Sequence, residues 1–185
     1  MLAEHAPQVG DEFFPPIEDL GGGAVGGPGG LGKGFYLQMG GFAAGRLQTG
    51  GRACGLAQAA LEKACEYVLE RVQFGQATVE FGLTQFLIGK MAARLAAARA
   101  ITYAAALAMD EDERKAGPLA AQAKLLACDI AVTITQDAQL LHGGWGYAEE
   151  YAISRYTVDA LVLPIFEGVK PILELKVVAR NLLGE

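Results

Sequence analysis

With 185 residues, 52% of them hydrophobic and 19% charged, the chain is long enough for one domain with a sizeable core. A net charge of -6 and a pI near 5.0 set it against the phosphates of nucleic acid. No uninterrupted apolar run approaches the ~20 residues that cross a bilayer, and Met1–Gly10 lacks the apolar stretch of a secretory signal, so a soluble, cytoplasmic protein is expected.

Residues 1–35 read differently from the rest. Pro15 and Pro16 are followed by nine glycines between Gly21 and Gly34, a composition that holds no regular element, and the segment is expected to be an extended tail and linker. Gly27-Pro28-Gly29-Gly30-Leu31-Gly32-Lys33 mimics a phosphate-binding loop as far as its lysine. Gly34 then stands where a Ser or Thr would ligate magnesium, and no strand precedes it, so a linker is the better reading.

From about residue 36 the pattern becomes helical, and four helices are predicted. The first covers about Gln38–Gln73, with Leu56, Ala60, Ala64 and Val68 spaced by four along one face. Its glycines Gly45, Gly50, Gly51 and Gly55 each cost roughly 1 kcal/mol of helix propensity, which points to close packing against a neighbour or ligand. The second spans about Val79–Met109 and carries Phe86, Met91, Leu95, Ile101 and Tyr103; the third starts at Pro118, where a missing N–H does no harm, and ends near Leu141. The fourth runs from about Pro171 to Leu183 with Ile172, Leu175, Val178, Ala179 and Leu182 in register. Short connections between such helices make an all-α, antiparallel four-helix bundle the expected fold. Cys54 and Cys65 lie eleven residues apart on one helix, ~16 Å by helical rise, too far for a disulfide, so the three cysteines, Cys128 included, are expected to be buried thiols.

Three stretches carry the chemistry. In Ile165-Phe166-Glu167-Gly168 a single carboxylate stands among Pro164, Ile165, Phe166 and Val169, apolar residues that would exclude water from a proton-abstracting group. A glutamate just ahead of a helix also suits the positive helix terminus, which is the structural alternative. Arg71-Val72-Gln73-Phe74-Gly75 could simply end the first helix, with Gly75 as a left-handed cap, or offer an arginine fork to a pyrophosphate. Gly143 and Gly144, in His142-Gly143-Gly144-Trp145-Gly146-Tyr147, could form a turn or let backbone approach a ligand closely. His142 has no second histidine or cysteine at ligand spacing, so no metal site is expected, and Trp145 reads as a packing residue or interface anchor.

These stretches, with Glu150-Tyr151 leading to Arg155 and Asp159, resemble the C-terminal domain of acyl-CoA dehydrogenases, colinearly from about Asp11 to Glu185. The resemblance implies a bundle that assembles into dimers or tetramers, with FAD across a subunit interface. It also implies α,β-dehydrogenation of an acyl-CoA thioester, with electrons leaving to an electron-transferring flavoprotein. Glu167 falls on the family's common catalytic glutamate. Arg71 and Phe74 match residues that reach the FAD of a neighbouring subunit, and Gly143 and Gly144 match the pair near its adenosine portion. Phe42, Arg46 and Phe166 match residues at the acyl-CoA pocket. Some members place the base just before the arginine corresponding to Arg46; here that residue is Gly45. Gly82 and Leu140 stand where glutamines often contact FAD, with Gln139 displaced by one; Val158 replaces an arginine, and Ala43 takes an often polar site.

Residues 11–34 resemble only the last strand and exit of the family's middle β-domain, so the chain is expected to be part of an enzyme and inactive alone. The alternative is a non-catalytic helical assembly subunit. Gly45-Arg46-Leu47-Gln48-Thr49 and the glycine-rich approach are similar to methylsuccinyl-CoA dehydrogenases.

Overall fold

The computed structural model describes residues 34–184, with side chains from residue 41 onward apart from those of residues 113 and 114. The tail, the linker and the phosphate-loop-like run therefore lie outside the described residues. Residues Gly41–Glu185 make one compact unit, and the packing below concerns that unit.

The elements are α1 (Gly34–Glu70), a hairpin of β1 (Val72–Gln73) and β2 (Gln76–Ala77), α2 (Gly82–Glu111), α3 (Glu113–His142) and α4 (Ala152–Val162). A C-terminal helix follows, in three consecutive stretches: α5 (Lys170–Leu173), a π-helical segment (Glu174–Ala179) and α6 (Arg180–Leu183). α1, α2, α3 and the C-terminal helix form the expected four-helix bundle. α1 and α3 run the same way, since Gly50 faces Ala123 and Tyr67 stacks on His142. α2 runs opposite, pairing Lys90 with Asp137 and bringing Thr102 against Cys54. α4, which the four-segment prediction omitted, packs on α3, with Ile153, Ala160 and Leu163 buried.

The core is made largely of alanines: Ala53, Ala57, Ala60 and Ala64 of α1 face Ala98 of α2 and Ala127, Ala131 and Ala138 of α3. Such small side chains bring the helices close, and Met91, Leu95, Ile134 and Ile153 fill the larger gaps. Ile134 is fully buried, and Ile134→Ala is expected to cost about 2–5 kcal/mol in denaturant unfolding. α3 has the length and hydropathy of a membrane span between Lys115 and Gly146, contrary to the sequence expectation. Half of that apolar stretch is buried in the bundle, and α3 serves here as the central core helix.

Several boundaries differ from those expected. α3 begins after Asp112, whose Oδ1 accepts the Lys115 N–H at 3.3 Å as an N-cap does, so Pro118 lies inside the helix instead of opening it. α1 ends at Glu70; Gly75 caps no helix but sits with Phe74 in a two-residue hairpin loop, both at positive φ (83° and 52°). In the C-terminal helix Leu173 is the buried residue, while Ile172, Leu175 and Leu182 are exposed. Gly50 packs against Thr102 and Ala123, but Gly51 and Gly55 have nothing within contact range of a would-be Cβ, so only part of the glycine run reflects close packing. All three cysteines are free thiols; Cys54 and Cys128 are buried and Cys65 is half-buried.

Candidate functional site

The loop between α4 and the C-terminal helix holds Glu167 over α1. Among the described residues only two non-glycine residues adopt positive φ, and both were singled out from the sequence: Phe74 (52°) and Glu167 (54°). A side chain in that region is strained and persists only where its surroundings impose it. Gly168 follows at φ 100°, and a Cβ there would lie 2.8 Å from Leu173 Cδ2. The sequence Glu-Gly is thus what lets the chain reverse and aim the glutamate back at α1.

Its target is Gly45. A Cβ on Gly45 would stand 2.9 Å from Glu167 Cδ and would overlap Oε2, so the missing side chain is the space the carboxylate occupies. One residue on, Arg46 is buried, and its Nε has no hydrogen-bond partner among the described residues. Burial pushes the Arg46 guanidinium below the usual arginine range, and the Glu167 charge pulls it back up. Arg46 Cζ lies 5.8 Å from the centroid of the Phe42 ring, one turn earlier. Phe166 is half-buried and packs on the core. Glu167, Phe166, Arg46 and Phe42 therefore gather at one end of α1, with Gly45 as a fifth member. The expected apolar enclosure is not built by the adjacent residues, since Ile165 and Val169 are exposed; instead α1 closes one side of the carboxylate.

A second cleft lies at the far end of α1, lined by Tyr67, Arg71, Leu140, His142, Gly143 and Gly144, among others, and enclosing about 610 Å³. Arg71 projects there with no ion pair among the described residues. Gly143, at φ 61°, and Gly144 have open space where a Cβ would point. Exposed backbone beside a free guanidinium suits a pyrophosphate-bearing ligand, so the donor set fits FAD in part. Phe74, at the tip of the adjoining hairpin, is 94% exposed. Gln139 donates to Gly146 O at 3.0 Å and so holds the turn, while Leu140 lines the cleft. Arg155 is tied to Glu149 O at 2.9 Å.

No cluster of three or more metal-ligating side chains lies among the described residues, and His142 backs this cleft. It donates from Nδ1 to Ala138 O at 2.8 Å and stacks on Tyr67 at 4.3 Å; Tyr151 meets both rings edge-on, and Trp145 packs on Tyr151. Burial holds the His142 pKa below the usual histidine value. A lowered folded pKa means that the unfolded chain binds the proton more readily, so stability is complete above about pH 6.5 and falls as pH drops below it. His142→Phe, which keeps a ring against Tyr67, is expected to flatten that slope in urea unfolding followed between pH 7 and 5.

The two clusters do not meet within one chain. From Gly45 to Glu70 α1 advances about 38 Å at 1.5 Å per residue. Lys124, buried on α3 behind the Glu167 loop, escaped the sequence reading of the site, its signal being one lysine in an apolar stretch of α3; Gly45 is read from the sequence as a packing glycine and as the place of an absent alternative base, but not as the space the carboxylate fills.

A family model described as acyl-CoA dehydrogenase, C-terminal domain, matches residues 32–183. The chain is 40% identical over 173 residues to the (2S)-methylsuccinyl-CoA dehydrogenase of Cereibacter sphaeroides, covering 94% of this chain and 30% of that protein. It is 39% identical over 153 residues to the 3-(aryl)acrylate reductase of Clostridium sporogenes, covering 83% of this chain and 40% of that one. The butyryl-CoA dehydrogenase structure from Megasphaera elsdenii superposes with a TM-score of 0.78 at 37% identity, over 82% of this chain and 39% of that one. The chain thus spans between 30% and 40% of the length of these relatives.

Proposed function

Because this chain belongs to the acyl-CoA dehydrogenase family, whose C-terminal domain it carries, we propose that it supplies the base and half of the flavin contacts of an FAD-dependent α,β-dehydrogenation of an acyl-CoA thioester. The observation that carries the reading is the strained Glu167 held over Gly45 beside buried Arg46.

In this reading the acyl chain enters past Phe42 and Phe166, and the Glu167 carboxylate takes the proton from the carbon α to the thioester carbonyl. FAD, when held there, would supply the acceptor for the hydride of the β carbon, and an electron-transferring flavoprotein would take the electrons onward. Arg71 would hold the pyrophosphate as a fork, the open backbone at Gly143 and Gly144 would receive the adenosine side, and exposed Phe74 would be covered on the same ligand or its subunit. Flavin and pyrophosphate are separated by one ribityl chain, far less than the length of α1 between the two clusters. Arg71 of one copy therefore serves the Glu167 of another, and the working unit is a homo-oligomer, dimer or tetramer. As a single domain the chain is proposed to be inactive alone. Its similarity to a methylsuccinyl-CoA dehydrogenase favours a branched dicarboxylic acyl-CoA as substrate.

Size-exclusion chromatography of the chain with added FAD and a diode-array detector tests this. The expected result is a dimer or larger species that co-elutes with flavin absorbance. Arg71→Ala is expected to weaken retention about tenfold or more, since a hydrogen bond to a charged group is worth about 1.5–3 kcal/mol. A monomer without flavin contradicts the shared site. An oligomer without flavin favours the assembly-subunit reading, which Leu140 in the cleft and Gln139 engaged at Gly146 support.

A further inference from the structure

Lys124 lies in the middle of α3 and is the largest fully buried side chain among the described residues, at 0% exposure. An ammonium group in that position is far costlier to bury than the methionine or leucine that would fill the same volume, so its retention needs a reason beyond packing. Its Nζ donates to Pro164 O at 3.2 Å and to Gly168 O at 2.7 Å. Those two carbonyls bracket Ile165-Phe166-Glu167, so one buried cation ties down both ends of the segment that carries the left-handed glutamate. Two further ties lead to the same place. The Lys170 N–H donates to Pro164 O at 3.1 Å, and Lys170 Nζ pairs with Asp129, five residues beyond Lys124 on α3. Burial lowers the Lys124 pKa, and Cys128, Glu167 and Asp129 oppose that shift while Arg46 adds to it.

We infer that Lys124 is the positioning residue of this site: by binding the carbonyls on either side of Glu167 it imposes the backbone turn that sets the carboxylate over Gly45. The inference rests on the reading of Glu167 as the base and extends it to a residue that touches neither substrate nor cofactor. A lysine is suited to the task because three donors on one flexible stem can serve two carbonyls that point to a common centre. The strain at Glu167 is thereby held by α3, a core helix of the bundle, instead of by the loop itself.

The test compares Lys124→Met, Lys124→Gln and Glu167→Gln in the complete polypeptide that carries this chain, loaded with FAD and assayed on an acyl-CoA. Lys124→Met is expected to lower kcat about a hundredfold with KM within about threefold and flavin content unchanged, as loss of base alignment does. The isotope effect with α-deuterated substrate is expected to rise, which a general loss of stability would not cause. Amide exchange at Lys170 is expected to quicken about tenfold as its loop opens. If Lys124→Met does not fold, Lys124→Gln, one atom shorter but still a donor, decides: a lowered kcat at constant KM supports the inference. Wild-type kcat in either folded variant, with Glu167→Gln inactive, overturns the role of Lys124 and leaves the base in place. An active Glu167→Gln removes the base assignment itself, and the inference with it.

Discussion

Glu167→Gln is expected to lower turnover about a thousandfold in the complete, FAD-loaded polypeptide, within the 100- to 10,000-fold range typical of a lost general base. Glutamine has the same shape, so it fits the space over Gly45, and the hydrogen bonds that hold the loop go to backbone carbonyls of Pro164 and Gly168, which the substitution leaves alone. What is lost is the basic carboxylate that takes the proton, since an amide oxygen is far too weak a base. Flavin retention and substrate binding should therefore change little, and the drop should fall on kcat. Steady-state kinetics together with the flavin absorbance of the purified variant checks both halves. A variant that turns over like the parent would mean that the strained turn at Glu167 is only a helix entry.

Gly45→Ala is expected to separate activity from stability. The new methyl would overlap Glu167 Oε2 and stand 2.9 Å from Cδ, and the carboxylate is the far end of a flexible side chain that can swing away. In the helix interior alanine is favoured over glycine by roughly 1 kcal/mol. The variant should thus melt at the same temperature or slightly higher, while kcat falls about a hundredfold because the base has left its place. Thermal unfolding and kinetics on one preparation check this; full activity would show that catalysis does not need the carboxylate over Gly45. The family pattern makes the position telling, since residue 45 is where some members carry the base, and here its absence makes room for the other.

Much of the fold follows from helical periodicity. Ala60, Ala64 and Val68 are buried as their spacing predicts, with Leu56 packed at the edge of the core, because one apolar face of α1 meets two helices. Periodicity was less informative in the C-terminal helix: of the residues in register, Ile172, Leu175 and Leu182 are exposed, Val178 and Ala179 are half-buried, and Leu173, outside that register, is inside. α4 was missed because Tyr147-Ala148-Glu149-Glu150 has no strong cap and the helix is short, so tertiary packing on α3 decides it. At Asp112 a side-chain cap outweighs the proline signal at Pro118. The hairpin at 72–77 was hidden because a phenylalanine occupies a turn position that usually takes asparagine or glycine. The site was legible as a set of residues but not as an arrangement. Nothing in the order of Arg46, Arg71, Gly143 and Glu167 says that Arg46 and Glu167 share one end of a long helix while Arg71 and Gly143 share the other.

Subunit complementation tests whether Glu167 and Arg71 of different copies share one site. Glu167→Gln and Arg71→Ala copies of the complete polypeptide are each inactive at an FAD concentration that loads the parent but not the Arg71 variant. Mixed one to one and allowed to exchange subunits, half of the dimers are hybrids, and each hybrid holds one site with Glu167 from one copy and Arg71 from the other. Recovery of about a quarter of the parent activity is expected, the share of intact sites in a symmetric pair. No recovery, in a mixture shown to contain hybrids, would place both residues in the same chain's site and contradict the shared site.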